Sequence, residues 1–191
     1  MPSYSRNSRK PLQTLTLAVA AALLTGSVAH AAEASTKFVL TAYTNGAGGD
    51  SLVSGDYDAA LEAVQRFSSM QSTDASALQT NKCVAYTMKG KLDAARSQCN
   101  AAILGAKEDL ASASLSEREQ AEEYLAVAYS NRAVLNWVAN DAVSAARDLA
   151  SAVTLSPQSE FVARNISALR SPHDNTPREH AVAQLAVAPK S

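Results

Sequence analysis

The stretch "VAYSNRAVLNWVAN" (127–140), running straight into "DAVSAARDLASAVTLSP" (141–157), decides how this chain folds. Each half carries apolar or small residues three and four apart, which is one face of a helix. Asn140 and Asp141 sit between the halves as a turn signal, and Pro157 stops the second half. Ala145 and Ala152 stand where a core would ordinarily take larger side chains. Small residues at those places let a neighbouring helix axis come close.

The pattern recurs along the chain. "SGDYDAALEAVQRF" (54–67), "KGKLDAARSQCNAA" (89–102) and "ANDAVSAARDLASA" (139–152) align Ala60 with Ala95 and Ala145. The same alignment matches Val64 with Cys99 and Leu149, then Phe67 with Ala102 and Ala152. Each segment opens on a turn residue: Gly55, Gly90 or Asn140. "ALQTNKCVAYTMKG" (77–90) aligns with 127–140 through Asn81 and Asn131, then Cys83 and Ala133. The repeating unit is therefore a helix, a short turn and an antiparallel helix.

This unit resembles the tetratricopeptide repeat (TPR), a helical hairpin of roughly 34 residues that stacks into a superhelix. Residues 126–159 match best, through "YSNRA" (129–133), Ala145, Ala152 and Pro157. Residues 76–109 match through Tyr86, Gly90, Ala95 and Ala102, with Cys83 in place of the usual glycine or alanine. The hairpin around 41–68 is degenerate, because "TAYTNGAGGDSLVS" is a poor helix former. The resemblance implies an all-α fold with two well-formed hairpins, one degenerate hairpin and a C-terminal capping helix. That cap is "SEFVARNISALR" (159–170), expected to turn Phe161, Ile166 and Leu169 inward. The second and third hairpins are separated by sixteen residues beyond the family period. They are read as a lengthened helix from about Glu117 to Val138, opened by a capping box of Ser116 and Glu119.

The rest of the chain is organised around this domain. Residues 1–31 read as a signal peptide: Arg6, Arg9 and Lys10, an apolar run over 12–24, then small residues at Ala29 and Ala31. That run is well short of the roughly 20 residues that span a bilayer. Its removal leaves 14 Lys and Arg against 18 Asp and Glu. Such a mildly acidic chain without basic runs argues against nucleic acid and anionic membrane as partners. Residues 32–48 form an extended arm; Phe38 to Thr44 is β-prone, yet nothing else in the chain offers a strand partner. Residues 49–170 are the helical domain, and 171–191, with three prolines, a disordered tail. The address is periplasmic or secreted.

Enzyme chemistry finds little support. His30, His173 and His180 all lie outside 49–170, which removes catalytic triads and most zinc sites. "NGAGGDS" (45–51) lacks the lysine that completes a phosphate loop. Glu117, Glu119, Glu122 and Glu123 open a helix, where carboxylates suit the dipole. No cofactor and no metal are expected. Two cysteines in an exported chain invite a bridge, and the family fold implies that Cys83 and Cys99 face each other within one hairpin. Two reduced thiols filling the core are the alternative.

The resemblance also implies where a ligand would lie, on the concave side formed by the first helix of each hairpin. The expected site is Asn81, Val84, Met88, Val127, Asn131, Val134, Trp137 and Val138. Asn81 and Asn131 match the asparagine that peptide-binding members set on a ligand backbone; the accompanying lysines are absent. The leading expectation is a module that holds a peptide or helix of another protein, with Trp137 as an anchor. The alternatives are a self-assembling homo-oligomer and a concave face filled by the protein's own arm.

Overall fold

The computed structural model describes residues 38–68 and 75–170, and the backbone of 184–187. The expected signal peptide 1–31, the start of the expected arm and most of the tail lie outside the described residues. The order is β1 (Val39–Ala42), α1 (Gly49–Val53), α2 (Tyr57–Ser68), α3 (Ala75–Met88), α4 (Leu92–Ser112), α5 (Arg118–Val138), α6 (Ala142–Leu155), α7 (Glu160–Arg170) and β2 (Gln184–Val187). The fold is all-α apart from one strand pair. α1 packs with α2, α3 with α4 and α5 with α6, while α7 closes the array against α5 and α6.

One turn joins each pair. Gly55, Gly90 and Asn140 all hold positive φ, at 79°, 65° and 62°. Their amides donate to Leu52, Thr87 and Trp137, and the next amides, of Asp56, Lys91 and Asp141, donate to Ser51, Tyr86 and Asn136. This doubled bond is the Schellman closure of a helix, which needs a residue tolerant of the left-handed region. The degenerate first hairpin shares it, although its first helix is five residues long.

The recurrent small residues sit where the helices meet. Ala60, Ala95, Ala102, Ala145 and Ala152 are all buried. Ala95 and Cys99 of α4 pack on Cys83 of α3 and Leu135 of α5. Ala126 of α5 meets Ala152 of α6 and Val162 of α7. Cys83 and Cys99 form a disulfide across the α3–α4 hairpin, with Cα atoms 4.8 Å apart. A polar seam, buried at Asp148 and Asn136 and reaching the surface at Asn100, ties three helices together. Arg132 of α5 donates twice to Asp148 of α6, at 2.8 and 2.6 Å, and once to Asn100 of α4 at 2.9 Å. Asn136 donates to the same Asp148 at 2.9 Å.

Four details differ from the sequence reading. The sixteen extra residues lengthen both partners: α4 and α5 have 21 residues each, against 14 in α3 and α6. The expected capping box of α5 does not form: Glu117 is the N-cap and makes no side-chain capping bond, and its carboxylate instead closes the preceding turn. Ser114, not Ser116, pairs with Glu117, whose carboxylate accepts from the Ser114 N–H at 3.1 Å and its hydroxyl at 2.6 Å. In α7 Phe161, Ile166 and Leu169 pack against the core as expected but only partly buried, and the fully buried row is Val162, Asn165 and Ala168. Finally, the arm does have a strand partner: β2, from the tail, pairs with β1 in parallel, Val39 opposite Gln184 through Ala42 opposite Val187. The pairing is long-range, and four residues of tail carry too little pattern to announce it.

Two carboxylates at helix starts carry a pH expectation. Glu117 is held below the usual carboxylate range by its bonds from Ser114, and Asp141 by its bonds from Ser144 at the start of α6. A lowered folded-state pKa means stabilisation fully present above the unfolded value and lost as pH falls through the folded one. Acidification should therefore release the Ser114 and Ser144 amides to hydrogen exchange before the helix interiors. Asp141→Asn should keep the cap and abolish the acid sensitivity at Ser144. An unchanged acid response in that variant would assign the effect to another group.

Candidate functional site

An arm that carries no alternation of polar and apolar residues, "FVLTAY" (38–43), should be buried on both faces. All six residues are buried. The arm runs across α7, α5 and α3, and one side of its backbone is held by asparagine amides from these three helices. Val39 N–H donates to Asn165 Oδ1 at 2.6 Å, and Asn165 Nδ2 donates back to the Val39 carbonyl at 2.9 Å. Thr41 pairs with Asn131 in the same way, at 2.8 Å for both bonds. Tyr43 pairs with Asn81, at 2.9 Å for both.

The geometry is that of a strand edge built from side chains. A primary amide offers one acceptor and two donors, so it can satisfy both backbone groups of one residue. Residues two apart in a strand direct their backbone groups to the same side. Residues 39, 41 and 43 therefore face the three asparagines, and Leu40 and Ala42 turn theirs toward β2. Every asparagine in the row is fully buried. Two of the three make a further bond: Asn165 Nδ2 donates to Ser130 Oγ at 2.8 Å, and Asn81 Nδ2 to the Ala47 carbonyl at 3.1 Å. The second bond ties the arm's end to the glycine-rich turn. That turn requires its glycines: a Cβ on Gly48, at φ 77°, would lie 2.6 Å from the Ala60 carbonyl oxygen.

The side chains fill the remaining space. Phe38, Leu40 and Ala42 pack with Val84 and Val134, and Met88, Trp137 and Val138 close around them. The Phe38 and Trp137 rings lie 5.3 Å apart at 39°. Tyr43 packs with Val127 and Ala77, and meets Tyr124 edge-on at 5.1 Å.

All eight residues expected on the concave face thus lie around one feature, and that feature is the chain's own arm. The face is filled, and Trp137 is half-buried beneath Phe38 rather than open to solvent. Asn165 is the member that sequence reasoning missed. It follows Asn131 by 34 residues, one repeat period, and this interval was the signal that could have found it. Among the described residues no cluster of potential ligands for a metal ion occurs. A separate concavity of about 350 Å³ between α3, α4 and α5 is lined by Ser76, Asp109, Ser112, Gln120 and Tyr124, with Glu117, whose carboxylate is engaged by Ser114. No family model, curated protein or solved structure matches this chain.

Proposed function

We propose that this protein is an exported, TPR-like interaction module whose concave face takes an extended segment of a partner protein in the place its own arm holds. One observation carries the reading: three buried amides pair with the backbone of alternate residues, and so grip a strand without reading its side chains. A helical guest satisfies its own backbone groups and would leave these amides unpaired. The extended form is therefore favoured over a helix. The disulfide and the basic–apolar–small pattern of residues 1–31 support a periplasmic or secreted location. A homo-oligomeric reading also has support, because a second copy's arm fits the same face by identity.

The test makes the arm exchangeable in an otherwise folded protein. A protease site inserted after the exposed Asn45 is cut once the full chain has folded, leaving the arm held by non-covalent contacts alone. A labelled peptide of residues 36–45 should then replace it and become bound in stoichiometric amount. Failure of that peptide to enter, even after mild denaturant has accelerated opening, would make the arm a permanent core strand and sink the reading. Two uncut copies that exchange arms, seen as a doubled mass in solution, would move the assignment to self-assembly.

A further inference from the structure

The groove's geometry specifies which segments can enter it. Resting on the reading above, we infer that the guest is a proline-free, uncharged strand of six residues, bounded by aromatic side chains and taken up as the middle strand between the asparagine row and β2.

Three constraints lead there. The first is the backbone. The N–H groups of residues 39, 41 and 43 are each accepted by a buried asparagine oxygen. Proline has no N–H and would leave that oxygen unpaired in a dry site. The intervening residues 40 and 42 face the parallel strand β2. Proline is therefore excluded from residues 39–43, and not only opposite the amides.

The second constraint is charge. Residues 38–43 lie in a continuous buried segment, against Val84, Val127, Val134, Ala77 and Ala85. A charged guest side chain placed among these apolar neighbours would lose its hydration at a cost of several kcal/mol or more.

The third is shape at the two ends. Trp137 receives an aromatic ring at the first position and Tyr124 another at the last. Between them Ala42 is fully enclosed in the cluster that holds Leu52 and Ala60. A small residue is needed there, because a larger one would have to displace packed neighbours. Trp137 and Tyr124 are thus the residues that set specificity, and the asparagines set register.

The cut protein described above reads the constraints against a peptide series. In it, Phe38→Ala and Ala42→Leu peptides should enter more weakly than the parent, and equal binding of both would overturn the shape constraint. The parent peptide and an unrelated strand, Phe-Ile-Val-Val-Ala-Trp with the parent's flanks, should both enter. Thr41→Pro and Leu40→Asp peptides should bind on the order of 100-fold more weakly, which corresponds to about 2.7 kcal/mol of lost pairing or burial. N-methylation at Thr41, which blocks Asn131, and at Leu40, which blocks β2, should each weaken entry. Equal binding of the Thr41→Pro peptide would overturn the backbone constraint, and an unaffected Leu40 N-methyl peptide would remove β2 from the site. Rejection of the unrelated strand alongside entry of the parent would show that the groove reads only its own arm's sequence. Failure of the parent itself would instead strike the reading on which this inference rests.

Discussion

Replacing Asn131 by leucine should cost the folded protein about 2–5 kcal/mol, more than its loss of two hydrogen bonds suggests. The Thr41 N–H and carbonyl would both remain buried in the middle of the arm with no water to take the amide's place. An unmade bond at a buried group costs roughly 1–3 kcal/mol, whereas a made one contributes about 1. Aspartate at the same position should behave differently with pH. An ionised carboxylate accepts from the Thr41 N–H but faces the Thr41 carbonyl with no proton to offer, so Asn131→Asp should be poor at neutral pH. Burial raises its pKa. The folded state then binds a proton more tightly than the unfolded one, and the protonated acid can accept and donate as the amide did. Its deficit relative to wild type should shrink as pH falls through the raised value. Chemical denaturation of wild type, Asn131→Leu and Asn131→Asp at two pH values checks this. Parallel pH responses in the two variants would mean that position 131 does not hold the arm.

The same row of amides separates what a sequence reveals here from what it does not. The hairpins were legible because Ala60, Ala95 and Ala145 recur at helical spacing beside turn residues, and close helix contact leaves little choice of side chain there. Asn81 and Asn131 were legible through the register those alanines set. Asn165 stayed hidden because α7 was read by its large apolar residues, which prefer any inward orientation over a polar one. The demand for an amide comes instead from Val39, 126 residues away. Hydrophobic periodicity cannot carry a requirement imposed by a distant backbone. The filled state of the face was illegible for a related reason. An apolar groove and an apolar arm look alike whether they meet each other or meet a partner, and only their register, 39 to 165, 41 to 131 and 43 to 81, distinguishes the cases. The strand β2 belongs to the same category, since its four residues acquire meaning only beside β1.

Loss of the Cys83–Cys99 bond should lower the melting temperature by about 6–12 °C. Closing a loop across a sequence separation of 16 removes conformational freedom from the unfolded chain, an effect of about 3 kcal/mol. For a domain of this size each kcal/mol moves the midpoint by about 2–4 °C. The native oxidised protein should also show no thiol to a labelling reagent, because both cysteines are bridged, and burial with Ala95 and Leu135 should shield the bond from reductant until the protein unfolds. Location makes the consequence reach beyond one hairpin. Asn81 lies two residues before Cys83 on α3 and holds both the arm at Tyr43 and the turn at Ala47. Loosening α3 against α4 should therefore free the C-terminal end of the arm first, with the Tyr43 amide gaining hydrogen exchange ahead of Val39, which Asn165 secures from α7. Reduction that lowered the midpoint while leaving Tyr43 as protected as Val39 would confine the bond's role to the unfolded chain. A Cys83→Ala, Cys99→Ala protein with an unchanged midpoint would remove even that role.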